Sequence, residues 1–197
     1  MKSTQKAAGQ IRIIGGEHRR QLIPVLHHEG LRPSSDRVRE TVFNWMMHQW
    51  GGVFDDKRIL DAFTGSGAFG LECVSRGATH VWMIDTHAPT IADIQKTLKK
   101  WQTGTDIRAQ QGDALKFCAQ AREAGRIFDW IILDPPFGHN WLAQVIPAIM
   151  PVTHAETWLY VEVETAADLS PLTDHGWTEV RSGKTQQVRY GLWQCVI

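Results

Sequence analysis

The chain has 197 residues, 43% of them hydrophobic and 21% charged, which suits one domain with a sizeable core and argues against a disordered chain. No apolar run approaches the roughly 18 residues of a membrane span, and the opening Met1-Lys-Ser-Thr-Gln-Lys6 has no apolar stretch that would serve as a signal peptide. Formal net charge is zero, yet residues 1–40 hold eight Lys/Arg against four Asp/Glu. That basic arm suits an anionic partner and equally suits a solvated tail. Cys73, Cys118 and Cys195 are odd in number and far apart, so they form no disulfide framework or CxxC pair and point to a reducing cytoplasm.

Residues 1–10 read as a disordered lead-in. Ile11–Ile14, Gly15-Gly16 and Gln21–Val25 predict a short β-hairpin. Pro33 breaks the chain, and either Ser34 or Ser35 suits the cap of a helix from Asp36 to about Trp50, where Val38, Val42, Phe43, Trp45, Met46 and Met47 recur at helical spacing. Gly51-Gly52 ends it. From there strands and helices alternate. Strands are expected at 58–63, 80–85, 107–111, 128–133 and 157–163, and helices at 68–76, 89–101, 114–124 and 141–150, with Pro147 kinking the last. The neighbourhood of Trp177 is ambiguous; 178–181 and 188–196 read as a closing pair. Repeated βαβ units imply an α/β fold with a parallel, doubly wound sheet. The expected division is a hairpin-and-helix extension over 11–52 and a catalytic domain over 53–197. Ligands of such sheets bind at the carboxyl ends of the strands.

The loop after the first strand of the large domain reads Asp61-Ala-Phe-Thr-Gly65-Ser-Gly67-Ala-Phe-Gly70. Gly65 permits a tight turn, Gly67 removes a Cβ where a ligand approaches the backbone, and Gly70 lets helix and strand pack closely. Asp85 ends the next strand, where an acid accepts both hydroxyls of a ribose. Both a nicotinamide dinucleotide and S-adenosylmethionine meet this geometry. Asp61 tilts the choice, because a carboxylate before the glycines repels a pyrophosphate and pairs with the amino group of a methionine moiety; the plainer role is a loop brace. Asp113-Ala114 follows the third strand, where Asp113 either accepts from an adenine amino group or only caps the next helix.

Asp134-Pro135-Pro136-Phe137 follows the strongly apolar fourth strand. Two prolines make the turn rigid and rich in acceptors. Asp134 and the Pro135 carbonyl both accept from one amino group, and Phe137 stacks on a flat ring. Two acceptors draw a conjugated amine toward tetrahedral geometry and localise its lone pair, which suits methylation of an exocyclic amine. No cysteine sits where a base-carbon methylase would need its nucleophile, no Walker lysine follows the glycines, and the scattered histidines, with no HExxH among them, predict no metal.

These motifs, with Ile11-Arg-Ile-Ile-Gly-Gly16, Leu31-Arg-Pro-Ser-Ser-Asp-Arg-Val-Arg-Glu40, Phe43-Asn44-Trp45, Asp61 through Glu72 and Tyr160-Val-Glu162, make the chain resemble the bacterial small-subunit rRNA guanine-N2 methyltransferases of the RsmD type over residues 11–196. It departs from them at Ser34 and Thr64, where Thr and Ala are usual, and in lacking a glycine around His18-Arg19-Arg20. The resemblance implies a Rossmann-like class I methyltransferase fold with a mostly parallel seven-stranded sheet. It implies transfer from S-adenosylmethionine, giving S-adenosylhomocysteine, to N2 of one guanine in 16S rRNA. The substrate would be presented within a small-subunit assembly particle, and the enzyme would be a cytoplasmic monomer with no membrane contact. Asp61, Phe63, Gly65, Ser66 and Gly67 then hold the methionine end of the cofactor, Asp85 the ribose, and Asp113-Ala114 the adenine. Asp134, Pro135 and Phe137 hold the base, and Arg12, Arg19, Arg20, Arg32, Arg37 and Arg39 hold RNA phosphates, unless some brace the fold. Rival readings are an adenine-N6 methyltransferase acting on DNA or RNA, a nicotinamide-dependent oxidoreductase, and a non-enzymatic RNA-binding assembly factor.

Overall fold

Four consecutive apolar residues, Trp130-Ile-Ile-Leu133, form strand β6 at the centre of the molecule, and all four are buried. A strand buried on both faces needs a layer on each side. A computed structural model, which describes residues 7–26 and 34–195, shows how the chain supplies them. The strands are β1 (Ala7–Arg12), β2 (Leu22–Leu26), β3 (Arg58–Asp61), β4 (His80–Asp85), β5 (Ile107–Gln111), β6 (Trp130–Leu133), β7 (Trp158–Glu164), β8 (Trp177–Lys184) and β9 (Val188–Cys195). The helices are α1 (Asp36–Gln49), α2 (Ala68–Ser75), α3 (Ala88–Trp101), α4 (Ala114–Glu123), α5 (Trp141–Ile149) and α6 (Ser170–Asp174).

Seven strands form one sheet in the order β5-β4-β3-β6-β7-β9-β8. Pairing is parallel from β5 through β7, and antiparallel where β9 joins β7 and β8. The period-2 alternation of strand side chains splits the core in two. Ile59, Val81, Met83, Trp130, Ile132 and Tyr160 face α1, α2 and α3. Leu60, Trp82, Ile84, Ile131, Leu133 and Leu159 face α4 and α5. Burial on the first face also takes Ile11, Ile13, Ile23 and Val25 from the hairpin and Val38, Val42, Phe43 and Met46 from α1. The N-terminal extension therefore shares the main core.

Four points of the sequence reading shift or are settled. Strand β1 begins at Ala7, inside the expected lead-in, because backbone pairing with β2 reaches back as far as Ala7↔Leu26 without needing apolar side chains. The helix α6, five residues long, has too few apolar positions to show a period. Trp177 opens β8 and is buried. Ser35, not Ser34, caps α1, its hydroxyl accepting from the Val38 N–H at 3.3 Å.

A buried clamp attaches the hairpin to α2. The two Glu72 carboxylate oxygens accept from the Ile14 and Gly15 N–H groups at 2.7 Å each, and Oε1 also from Arg76 Nε at 2.9 Å. Ser75 Oγ donates to the Gly15 carbonyl at 2.6 Å and accepts from the His18 N–H at 3.0 Å. Gly16 sits at φ +77°, and a Cβ there would lie 1.7 Å from the Ser75 carbonyl oxygen, so only glycine fits. His18 then stacks on Trp101 at 3.8 Å, and Trp101 Nε1 donates to Gln21.

Candidate active site

Because β3 to β6 run parallel, the loops following them meet at one edge of the sheet. There they enclose a cavity of about 890 Å³. Its walls include Asp61, Phe63, Gly65 and Ser66 after β3, Asp85 at the end of β4, Asp113 and Ala114 after β5, and Asp134, Pro135 and Phe137 after β6. Ser34 and Glu162, which sequence reading gave no role at a site, complete it.

Asp61 is 2% exposed. Its Oδ2 accepts from Thr64 Oγ1 at 2.7 Å and from the Gly70 N–H at 2.9 Å, which folds the glycine loop back over the end of β3. Burial pushes its pKa up to about 7, with the two hydrogen bonds opposing and the Asp85 charge reinforcing. Asp61 is thus a loop brace that also borders the cavity. A cation placed beside it would relieve the cost of its desolvation.

Asp85 holds the same loop from the other side. Its Oδ2 accepts from the Gly65 N–H and its Oδ1 from the His87 N–H, both at 2.8 Å. Gly65 takes φ +47° to make that turn. Gly67 serves a packing end that local sequence did not show. It occupies φ +80° ahead of α2, and an added Cβ would lie 2.9 Å from the Ile94 side chain. Its missing side chain admits α3, and it is absent from the cavity wall. Gly70 does pack helix on strand, since a Cβ would lie 2.3 Å from Met83. Asp113 caps α4 through Oδ1, accepting from the Lys116 N–H at 3.0 Å, and also borders the cavity.

On the far wall, Ser34 Oγ lies 2.7 Å from Asp134 Oδ2 and 2.8 Å from Glu162 Oε2. The Tyr160 hydroxyl donates to the same Glu162 oxygen at 2.6 Å. Burial, then the Glu162 and Asp134 charges, raise the Tyr160 pKa well above its ordinary value, so it stays a donor. Phe137, 39% exposed, stands at the mouth. Phe63 meets Trp141 edge-on at 5.3 Å.

The basic residues expected to hold phosphates do not share one fate. Arg39 is 0% exposed and donates to the Arg12 carbonyl at 2.8 Å and to Asp36 Oδ1 at 2.6 Å, facing Glu72 at 3.7 Å. It braces the hairpin and reaches no RNA. Arg12, Arg19 and Arg20 are not in the cavity wall. Arg19 and Arg20 are exposed in the turn docked on the C-terminal ends of α2 and α3. That is the opposite edge of the sheet, about 12 Å away along α2 at 1.5 Å per residue. Arg37 is exposed on the first turn of α1. Arg32 lies outside the described residues.

Comparison with known proteins agrees with this geometry. Residues 11–194 match the model of a family described as Conserved hypothetical protein 95. The chain belongs to that family. Over 97% of both chains it is 34% identical to the Haemophilus influenzae protein named "Ribosomal RNA small subunit methyltransferase D". The Escherichia coli K12 protein of the same name is 36% identical, over 98% of this chain and 94% of that one. The solved structure of Escherichia coli yhhF superposes with a TM-score of 0.81 at 36% identity, covering 95% of this chain and 99% of that one. The mostly parallel seven-stranded sheet is therefore the methyltransferase fold expected from the resemblance.

Proposed function

We propose that the protein transfers a methyl group from S-adenosylmethionine to the exocyclic N2 of a guanine in small-subunit rRNA, acting as a cytoplasmic monomer, with its substrate presented in an assembly particle. The charge of the cavity carries this reading. Among the described residues it is lined by five carboxylates (Asp61, Asp85, Asp113, Asp134 and Glu162) and by no Lys or Arg. Such a site repels a pyrophosphate, which disfavours a nicotinamide dinucleotide, and attracts a cation carrying amino and hydroxyl donors. S-adenosylmethionine is that kind of ligand. The names of the relatives supply the rRNA.

The residues fit the cofactor. The loop of Phe63, Gly65 and Ser66, braced by Asp61, receives its methionine end. Asp85 takes the ribose hydroxyls, and Asp113 with Ala114 takes the adenine. When bound, S-adenosylmethionine supplies an electrophilic methyl group whose bonding electron pair returns to sulfur as the amine lone pair replaces it. The chain does the rest. Asp134 and the Pro135 carbonyl accept the two amine hydrogens and hold the nitrogen lone pair toward the donor. Phe137 stacks on the base, which must leave its own stack to arrive. Asp134 takes the proton that the methylated nitrogen sheds.

The decisive experiment offers labelled methyl donor with naked rRNA, with a small-subunit particle and with DNA, followed by nucleoside mass spectrometry. N2-methylguanosine in rRNA is expected. N6-methyladenosine would establish the adenine-N6 alternative, and rRNA binding without incorporation would leave a binding factor.

A further inference from the structure

Glu162 has one oxygen in use and one to spare. Its Oε2 accepts from the Tyr160 hydroxyl at 2.6 Å, and Ser34 Oγ lies 2.8 Å from the same atom. Its Oε1 accepts from no described group and is not sealed in the core. Glu162 is only 5% exposed, and it borders the cavity. Tyr160 is 0% exposed and packs against Phe69 at 4.8 Å between ring centroids, so its hydroxyl cannot follow a carboxyl group that swings away. Movement of Glu162 would strand a buried hydroxyl hydrogen. The carboxyl group is thereby fixed, with an unused acceptor turned to the ligand space.

Its place on the wall indicates what it meets. Ser34 Oγ touches both Glu162 and Asp134, at 2.8 and 2.7 Å, so the two acids stand side by side. With Asp134 and the Pro135 carbonyl on the exocyclic amine, an acceptor beside them faces the ring atom next to that amine. This atom differs among the bases. In guanine the ring nitrogen beside the 2-amine, N1, carries a hydrogen. In adenine and cytosine the ring nitrogen beside the amine carries a lone pair.

We propose that Glu162 is a specificity-determining residue, whose Oε1 accepts the N1–H of the target guanine while Asp134 and Pro135 hold the 2-amine. This rests on the proposed methylation reading and deepens it, because it names the contact by which the site prefers guanine to the other two amine-bearing bases. A flipped base is read along its pairing edge, and guanine leaves no group there unpaired. Adenine or cytosine sets a lone pair against Oε1, which repels it and leaves a nearly buried acid without a donor. Ser34 and Tyr160 are positioning residues, acting through Glu162.

2-Aminopurine separates the two contacts, because it keeps the 2-amine and carries a lone pair at N1. Methyl transfer is measured on rRNA, naked and in the particle, with either guanine or 2-aminopurine at the methylated position. The wild-type protein is expected to prefer guanine by about 10²-fold or more in kcat/KM. Glu162→Gln keeps an acceptor for Tyr160 through its amide oxygen and turns its NH₂ toward N1. It should lose activity on guanine and shrink the preference over 2-aminopurine by about tenfold or more. A merely structural role for Glu162 would lower transfer to both bases alike, and an unchanged ratio would overturn the proposal. Equal use of the two bases by the wild-type protein would overturn it too, and that result needs no variant to fold. In both cases transfer to guanine leaves the methylation reading standing. Transfer to no base by the wild-type protein, or transfer to adenine, would overturn that reading itself and the proposal with it.

Discussion

The carboxyl edge of the sheet and the N-terminal extension carry charge in opposite ways. At the edge, acids are held by nearby groups: Asp85 by two N–H groups, Asp61 by the Thr64 hydroxyl and the Gly70 N–H, Asp113 by its own helix. Each is fixed while still bordering a cavity, because the groups that fix it lie within its own loop or the next one. In the extension, charged side chains reach across long sequence separations. Glu72 binds Ile14 and Gly15, and Arg39 binds the Arg12 carbonyl. Asp85, Asp61 and Asp113, satisfied by near neighbours, still border the cavity, whereas Glu72, satisfied across 57 and 58 residues, has become part of the frame.

That contrast is broken most severely at Asp134. Asp134→Ala is expected to lower kcat on the order of 10³-fold, within the range for loss of a positioned proton acceptor, while titration calorimetry still detects S-adenosylmethionine. Full turnover in this variant would remove Asp134 from the chemistry. On the frame side, Glu72→Ala takes from buried Arg39 and from Arg76 a buried carboxylate, and frees two part-buried N–H donors. A loss of about 3–5 kcal/mol in denaturant unfolding is expected, with amide exchange rising first at Ile14 and Gly15. A drop in turnover without any loss of stability would instead place Glu72 with the site.

Asp85→Ala should weaken the cofactor by roughly 10- to 100-fold in Kd, the worth of about 1.5–3 kcal/mol for hydrogen bonds to a charged group. Asp61 gives a pH signature. Its folded pKa of about 7 lies above the ordinary 3.8, so its contribution to stability is complete below about pH 4 and is lost as pH rises toward 7. Three units amount to about 4 kcal/mol as an upper figure. Asp61→Asn keeps the acceptor for Thr64 and Gly70 but has no proton to lose. The wild-type protein should therefore lose stability relative to this variant between pH 4 and pH 7, read from thermal unfolding at each pH. A constant difference would mean that Asp61 titrates normally.

Where backbone geometry follows from local sequence, the sequence was readable. Gly65, the end of β4 at Asp85 and the Asp134-Pro-Pro-Phe137 turn sit where the strand–helix rhythm puts them. Gly67 has a packing role that the sequence did not show, because the side chain that would collide with its Cβ, Ile94, comes from a helix that local pattern does not dock. Ser34 shows the same limit. Two adjacent serines before a helix look alike as caps, and only the fold brings one of them between Asp134, 100 residues on, and Glu162, 128 residues on. Arg39 is spaced among RNA-like charges, yet α1 turns it inward on the same face as Val42 and Phe43.

The smallest expected effect lies where the two regions have to cooperate. Arg19 and Arg20 sit past the end of α2 that points away from the cavity, on a turn that His18 and Gln21 hold against Trp101. Lys99 and Lys100 stand exposed at the last turn of the same helix as Trp101. If RNA backbone crosses this edge while its target base lies in the cavity, Arg19→Glu with Arg20→Glu should weaken rRNA binding and lower its salt slope by about one for each phosphate no longer neutralised. Cofactor affinity and the turnover at saturating rRNA should hold, because nothing in the pair touches the carboxyl edge. An unchanged salt slope would show that RNA enters along another face and that the surplus positive charge of the arm is solvated surface.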